Sequence, residues 1–250
     1  MWSGRWAAVS VHWSSTPLAT AGRLTALLSG ALLCARAGVD PDLWGHVRFG
    51  TDILKSGRIA TLDPYSFTQD VPWTNHEWLS ELVFAIAYRA GGVTGLALLK
   101  ALLLALTLRV VWSILVPVAD PAVRWWLFAV IPFALTPAAT TFRPQLWTLL
   151  GLAILLRLLS AGGRSPWIVL TFTAWANLHG GWIVGLGVST AWLVGRVLDG
   201  ERPREWMPSG ILLGTSVCAT LINPYGAGLW AFLARTVRMT REITEWRPLW

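Results

Sequence analysis

The sequence predicts an all-α, polytopic transmembrane helix bundle of about seven spans. Of its 250 residues, 54% are hydrophobic and only 13% are charged, a balance outside the usual range of soluble domains. Several apolar stretches approach the ~20 residues that a helix needs to cross a bilayer. The 18 tryptophans fit the membrane interface, where indole rings sit at headgroup depth, and they also fit packing between helices.

Seven apolar segments are candidate spans. They are residues 18–36, 93–116, 123–138, 145–160, 166–178, 181–198 and 208–222. Residues 37–92 form a long first loop between the first two spans, and within it residues 77–90 place apolar side chains on one helical face. This predicts an interfacial amphipathic helix. We expect residues 1–250 to form a single transmembrane domain, and because 223–250 ends without another clear span, we expect the chain to be part of a longer protein.

The distribution of basic residues predicts an orientation, since short cytoplasmic loops are enriched in Lys and Arg. With a cytoplasmic N-terminus, the inner loops and span ends collect eight arginines: Arg5, Arg23, Arg124, Arg157, Arg164, Arg196, Arg202 and Arg204. The short outer loops then hold only Arg143. The net charge of +7 is dispersed without a Lys/Arg run, which argues against a nucleic-acid partner.

Polar motifs gather on the predicted outer side. They are DPDLWGH at 40–46, WTNHEW at 73–78, TFRPQ at 141–145, NLHGGW at 177–182 and NPYG at 223–226. Three of the four histidines lie in these motifs. The sequence therefore predicts one extracytoplasmic polar site assembled from several loops.

Carboxylates in these motifs are the candidate catalytic groups. Asp40 and Asp42 directly follow the first span, where they are placed to bind a divalent cation or to act as a general base. An Asp-Pro-Asp run is equally a turn and helix-start sequence. Glu77, with His76 beside it, opens the amphipathic helix, where acidic side chains also serve as ordinary caps.

Further residues are candidate ligands for a substrate. His46 follows Asp42 by one helical turn, and Arg48 adds a possible phosphate ligand. Arg143 stands beside a proline at the outer surface, where a guanidinium binds phosphate or anchors a headgroup. The remaining candidates are Lys100 inside the second span, which either snorkels or reaches a phosphate, and His179 in a glycine-rich turn.

The arrangement resembles the GT-C superfamily of membrane glycosyltransferases. The resemblance rests on DPDLWGHVRFGTDILKSGRIATLDPYSFT, continued by PWTNHEWLSE, and more weakly on RPQLW, NLHGGW and NPYG. It is similar to the first-loop pattern of a bacterial group of such proteins, related to oligosaccharyltransferase catalytic subunits and protein mannosyltransferases. The shared order is one span, then a long outer loop with an aspartate motif and an interfacial helix, and then a multi-span bundle.

The resemblance implies a sugar transfer from a polyprenyl-phosphate-linked donor to an extracytoplasmic acceptor at the bacterial cytoplasmic membrane. Asp40 or Asp42 would activate the acceptor or bind Mg or Mn, while membrane lipid surrounds the bundle. No second acidic motif occurs in the later outer loops, so the resemblance leaves the cation requirement open. Two other classes remain: a transporter or flippase for a lipid-linked or anionic solute, and a non-catalytic membrane assembly component.

Overall fold

A computed structural model describes residues 17–65, apart from 37 and 39, and residues 72–238, apart from 119. This part of the chain is all-helical, which confirms the expected class. Its nine helices are α1 (Pro17–Ala35), α2 (Leu43–Ser56), α3 (Trp78–Leu115), α4 (Pro121–Ala139), α5 (Gln145–Ser160), α6 (Trp167–Leu178), α7 (Trp182–Leu198), α8 (Pro203–Ala219) and α9 (Ala227–Arg238). The two ends of the predicted single domain, with Arg5, lie outside the described residues.

Three helices are long and apolar enough to cross a membrane, judged by length and composition: α1, α3 and α4. Helices α5, α6 and α7 are apolar but have only 16, 12 and 17 residues. A 12-residue helix is about 18 Å long, well short of a hydrocarbon core of about 30 Å. The structure therefore supports a membrane protein of apolar helices with three candidate spans. The arrangement of seven spans stays a prediction.

Helix α3 consists of two arms that meet at a glycine pair. Gly91 (φ −150°, ψ 18°) and Gly92 (φ 58°, ψ −141°) leave helical geometry, and the backbone at Gly92 lies in a region that only glycine enters freely. Gly95 then packs closely, since a Cβ on it would lie 2.1 Å from the Ala87 carbonyl oxygen. The first arm is the segment for which the sequence predicts a separate amphipathic helix, and the second, 93–115, is the apolar arm.

Helices α1 and α4 run parallel and pack through small residues. Gly22, Ala26 and Gly30 are buried on α1 at a spacing of four residues, the pattern that lets helix backbones approach closely in lipid. The Trp126 indole N–H donates to the Leu18 carbonyl oxygen near the start of both helices. Side chains on the other faces remain exposed, as expected for lipid contact; Leu32 on α1 and Phe133 on α4 are 65% and 64% exposed.

The polar connections meet at one end of the bundle. The Asn177 amide at the end of α6 donates to the Ile222 carbonyl oxygen after α8 (2.8 Å), and the Trp78 indole at the start of α3 donates to Asn177 (3.1 Å). Arginines occupy the opposite end, where Arg164 and Arg196 both donate to the Glu205 carbonyl oxygen. The fold therefore separates a polar end from a basic end.

Candidate functional site

A cleft of about 320 Å³ lies at the polar end of the bundle. Its lining comes from α2 and the two residues before it, from the segment before α3 and from the first turn of α3. The lining residues are Pro41, Asp42, Gly45, His46, Phe49, Trp73, Asn75, His76, Glu77 and Glu81. Two aromatic rings, Phe49 and Trp73, pack on each other at 4.6 Å between centroids. The cleft thus combines an aromatic wall with carboxylates and histidines.

Helix α2 is held against α3 at close range, and this contact places His46. A Cβ on Gly50 would lie only 1.9 Å from the Glu81 carbonyl oxygen, so the two backbones touch where glycine removes the side chain. His46, one helical turn before Gly50, consequently faces Glu81 with 3.2 Å between Nδ1 and Oε1. A glycine in α2 therefore builds a histidine–carboxylate dyad.

Glu81 is almost fully buried, at 2% exposure, and both of its oxygens are occupied. Oε1 faces His46, and Oε2 accepts from the Asn75 side-chain amide (2.5 Å). The backbone N–H of Asn75 in turn donates to the Tyr225 hydroxyl (3.0 Å). Burial would lower the pKa of His46, but the Glu81 hydrogen bond and the charges of Glu77, Glu81 and Asp42 outweigh it and raise that pKa.

Glu77 lies at the centre of three histidines. The separations are 3.4 Å from Oε1 to His179 Nε2, 3.6 Å from Oε1 to His76 Nε2, and 4.0 Å from Oε2 to His46 Nε2. Burial raises the pKa of Glu77 to about 7; His46 opposes the increase, and Glu81 and Asp42 add to it. A carboxyl group with a pKa near neutral exists in both protonation states at working pH, as general acid–base chemistry requires.

His179 enters the cluster from the connection between α6 and α7. Its Nδ1 lies 2.7 Å from the Thr148 hydroxyl and accepts from the Gly181 backbone N–H (3.0 Å). Burial, together with the charges of His76 and His46, lowers the pKa of His179 to about 4. The imidazole is therefore neutral at physiological pH. His76 packs against Phe232 of α9 at 5.0 Å between ring centroids.

The first-loop aspartates differ sharply in exposure. The Asp40 side chain is 1% exposed, pairs with Arg143 Nε and accepts the Asp42 backbone N–H at 2.9 Å. The Asp42 side chain is 68% exposed, lines the cleft and lies 3.7 Å from Arg143 Nη2. Arg143 is thus held between two aspartates beside the cleft, and only Asp42 of the pair faces the open space.

Arg48 and Lys100 are sequence candidates that lie apart from the cleft. Arg48 points along the exposed face of α2, where it donates to the Tyr65 hydroxyl (2.7 Å) and pairs with Asp52 (3.3 Å). Lys100 is 3% exposed, and its ammonium group donates to the backbone carbonyls of Arg36 and Thr140. Lys100 therefore connects the C-terminal ends of α1 and α4. The segments that follow these two helices carry Asp40 and Arg143.

Sequence reasoning did not single out Glu81 or Thr148. Glu81 lies four residues after Glu77 on the polar face of the first arm of α3, so helical spacing could have indicated it. Thr148 sits within an apolar helix and interacts with a histidine 31 positions away. Nothing in its local pattern distinguishes it from a threonine that hydrogen-bonds its own helix.

The described residues contain no group of three or more histidines, cysteines, aspartates or glutamates arranged to hold a metal ion. Both carboxylate oxygens of Asp40 already have partners, namely Arg143 and the Asp42 backbone. Asp42 alone supplies a cleft-facing oxygen ligand from the first-loop pair. The cation at Asp40 and Asp42 stays a prediction from the sequence.

Neither a protein-family model, nor a curated protein, nor a solved structure matches this chain. The resemblance to the GT-C superfamily thus rests on the quoted motifs and stays a prediction.

Proposed function

We propose that the protein is a membrane glycosyltransferase that moves a sugar from a polyprenyl-phosphate-linked donor to an acceptor hydroxyl. The observation that carries the proposal is the pairing of Glu77, with a pKa of about 7, and His46, with a raised pKa, on one open cleft at the end of an apolar bundle. Such a pair can take and return a proton near neutral pH. The aromatic wall beside it suits a sugar ring.

The reaction requires a base for the acceptor and a partner for the leaving phosphate. His46 Nε2 and Glu77 Oε2, 4.0 Å apart, can both contact one hydroxyl oxygen lying about 2.8 Å from each, a normal hydrogen-bond length. The hydroxyl proton passes to His46 Nε2 as the oxygen bonds to the anomeric carbon. The sugar–phosphate bond breaks at the same time, and its electron pair stays on the phosphate oxygen.

Asp42 and Arg143 act at the mouth of the cleft in this proposal. Asp42 orients the acceptor through its exposed carboxylate. Arg143, fixed in place by Asp40, stabilises charge that develops on the leaving phosphate, an interaction stronger in the transition state than before it. The catalytic carboxyl group is then Glu77, with Asp40 holding the arginine.

The proposal places the cleft on the extracytoplasmic side of a bacterial cytoplasmic membrane, with the N-terminus inside. The cluster of arginines at the opposite end of the bundle supports this orientation. Helices α5 to α8 then complete a seven-span arrangement, with the shorter helices crossing where the surrounding bilayer is thinned.

The test uses the full chain in lipid vesicles that contain a polyprenyl-phosphate-linked radiolabelled sugar, with an envelope extract as the source of acceptor. Transfer of label should fall by at least a hundredfold in Glu77→Gln and His46→Gln, the usual range for loss of a general acid or base. Asp199→Asn, an exposed carboxylate at the basic end, is the matched control and should transfer normally. Full transfer by both cleft variants would reject the proposed chemistry.

Proton-coupled transport is a second candidate, favoured by one observation. A buried glutamate with a pKa of about 7 beside a neutral histidine is also what a carrier needs to load and release a proton. Vesicles loaded with a pH-sensitive dye distinguish the two functions. Substrate-driven proton movement that Glu77→Gln abolishes, without any transfer of label, would favour the carrier.

A further inference from the structure

We infer that His46 and His179 are held as opposite tautomers on the two sides of Glu77, and that Thr148 is the positioning residue that sets the tautomer of His179. The inference deepens the proposed function by naming the atoms that hold the transferred proton. The tautomers themselves follow from hydrogen bonding and do not rest on the reaction.

For His179, two donors point at the same ring nitrogen. The Gly181 backbone N–H can only donate, and it lies 3.0 Å from Nδ1. The Trp175 indole N–H also can only donate, and it is directed at the Thr148 hydroxyl oxygen (3.0 Å). The hydroxyl hydrogen of Thr148 is therefore free to point at Nδ1, 2.7 Å away. Nδ1 accepts twice, so the ring proton resides on Nε2.

For His46, the opposite arrangement holds. Glu81 Oε1 lies 3.2 Å from Nδ1, and an ionised carboxylate can only accept. Its other oxygen already accepts from Asn75, which keeps the carboxylate in this orientation. Nδ1 of His46 therefore carries the proton, and in the neutral ring Nε2 presents a lone pair.

Glu77 lies between these two nitrogens of unlike character. Its Oε1 faces the Nε2–H of His179 at 3.4 Å, while its Oε2 faces the lone pair of His46 Nε2 at 4.0 Å. His76 also approaches Oε1, at 3.6 Å, and Asp42 adds negative charge nearby. A proton on Glu77 is consequently favoured at Oε2, the oxygen directed at His46, and a hydroxyl bound between them meets one acid and one base.

The same tautomer bears on metal binding at this cluster. A neutral imidazole whose Nε2 carries the proton has no lone pair there for a cation. His179 therefore serves Glu77 as a hydrogen-bond donor.

Nitrogen-15 NMR of the full chain in lipid vesicles tests the inference directly, because protonated and unprotonated ring nitrogens resonate far apart. With four histidines in the chain, single His→Gln variants assign the signals. At pH 7 we expect His179 as the neutral Nε2–H form and His46 with a protonated Nδ1. An Nδ1–H or doubly protonated His179 would overturn the inference whether or not the protein transfers sugar.

Thr148→Val removes the hydroxyl while keeping a side chain of similar shape. We expect part of the His179 population to move to the Nδ1–H tautomer, and Thr148→Ser to restore the original spectrum. Thr171→Val is the matched control, since that hydroxyl bonds only its own helix at the Trp167 carbonyl (2.8 Å), and it should leave His179 unchanged. An unaltered tautomer in Thr148→Val would remove Thr148 from the role assigned to it.

These spectra do not depend on whether the protein transfers sugar. Failure of the tautomer inference and failure of the proposed function are therefore distinguishable. Absent transfer with the expected tautomers rejects the glycosyltransferase and keeps the proton arrangement. Normal transfer with an Nδ1–H His179 keeps the glycosyltransferase and rejects the proton arrangement.

Discussion

Burial moves the pKa values of two neighbouring residues, Glu77 and His179, in opposite directions. Burial disfavours the charged form of each group, so the pKa of Glu77 rises from 4.5 to about 7 and that of His179 falls from 6.5 to about 4. Both side chains are neutral over a wide pH range as a result. A neutral donor beside a carboxyl group that titrates near 7 is the main chemical feature of the cleft.

These shifts predict an unusual pH dependence of stability. Glu77 stabilises the fold below pH 4.5 and loses that contribution as pH rises to about 7, whereas His179 contributes fully above pH 6.5 and loses its contribution as pH falls to about 4. The two effects oppose each other between pH 4.5 and 6.5. Of these two effects, only that of His179 remains in Glu77→Gln. The free energy of unfolding of this variant in detergent should rise by on the order of 3 kcal/mol from pH 4 to pH 6.5, and its Tm should rise with it.

The wild-type protein is the control, and its Tm should change little over the same interval. His46, whose pKa is raised from 6.5, adds a decrease only above that value. Parallel pH profiles for the wild type and Glu77→Gln would show that Glu77 titrates as an ordinary exposed carboxylate.

The two first-loop aspartates provide a second contrast at this scale. Asp40→Asn leaves Arg143 without its buried partner and should destabilise the fold by about 3 kcal/mol. Asp42→Asn changes a side chain that is 68% exposed, so a stability change below about 1 kcal/mol is expected. Thermal unfolding of both variants measures the difference, and equal effects would contradict the assignment of Asp40 as the structural member.

Among the elements, α2 and the first arm of α3 form the unit that shapes the cleft. Leu43, Val47 and Gly50 make up the buried face of α2, and Leu43 and Val47 pack with Phe84 in one apolar core. The second arm of α3 departs at Gly91–Gly92 and carries the apolar sequence into the bundle. The cleft is therefore built where α2 packs on the first arm of α3, and the glycine pair separates that arm from the apolar arm.

Gly50→Ala tests this helix contact. The added methyl group would overlap the Glu81 carbonyl at 1.9 Å and Ala85 Cβ at 2.9 Å, so α2 has to shift at a cost of about 1–3 kcal/mol. The shift should also draw His46 away from Glu81 and lower the pKa of His46. Thermal unfolding and the NMR titration of His46 measure the two effects.

Gly45→Ala is the matched control for stability in the same helix. A Cβ there has no neighbour within 4 Å, and alanine favours a helix over glycine by up to about 1 kcal/mol. Its Tm should stay level or increase. A Gly50→Ala protein as stable as Gly45→Ala would indicate that the two helices do not touch at this point.

For the whole molecule, polarity divides along the bundle. The cleft, three histidines and the aspartate–arginine cluster occupy one end, while Arg164 and Arg196 hold the connections at the other. Exposed apolar side chains cover the sides between them, including Leu28 and Leu98, which are 64% and 66% exposed. Such a distribution is stable when lipid surrounds the sides and water reaches both ends.

Cysteine labelling tests the proposed orientation. In a variant with Cys34 and Cys218 replaced by alanine, Thr61→Cys should react with a membrane-impermeant maleimide added to intact cells. Ala161→Cys and Asp199→Cys, at the basic end, should react only after permeabilisation, because basic loops are retained inside. Labelling of the opposite set would invert the protein in the membrane and remove the basis for an extracytoplasmic reaction.

Much of the helical organisation could be predicted from composition and periodicity. Apolar stretches give α1, the second arm of α3, and α4, and the glycine pair between amphipathic and apolar segments coincides with the break in α3. The start of α8 at Pro203 rather than at residue 208 was not predicted, since Pro203 begins a helix in a polar stretch where its missing N–H costs nothing. The local sequence allows a helix to begin at Pro203, but it does not show which of several residues begins the helix.

The sequence by itself determined an apolar helical protein, the asymmetry of its basic residues and the set of polar motifs, because these depend on residue type and local spacing. Only the tertiary structure decided which carboxylate faces the cleft. Asp40 meets Arg143 across 103 positions, His46 meets Glu81 across 35, and Asn75 meets Tyr225 across 150. A pKa depends on which groups surround a side chain and how much water reaches it, and both are set by contacts that no local pattern contains.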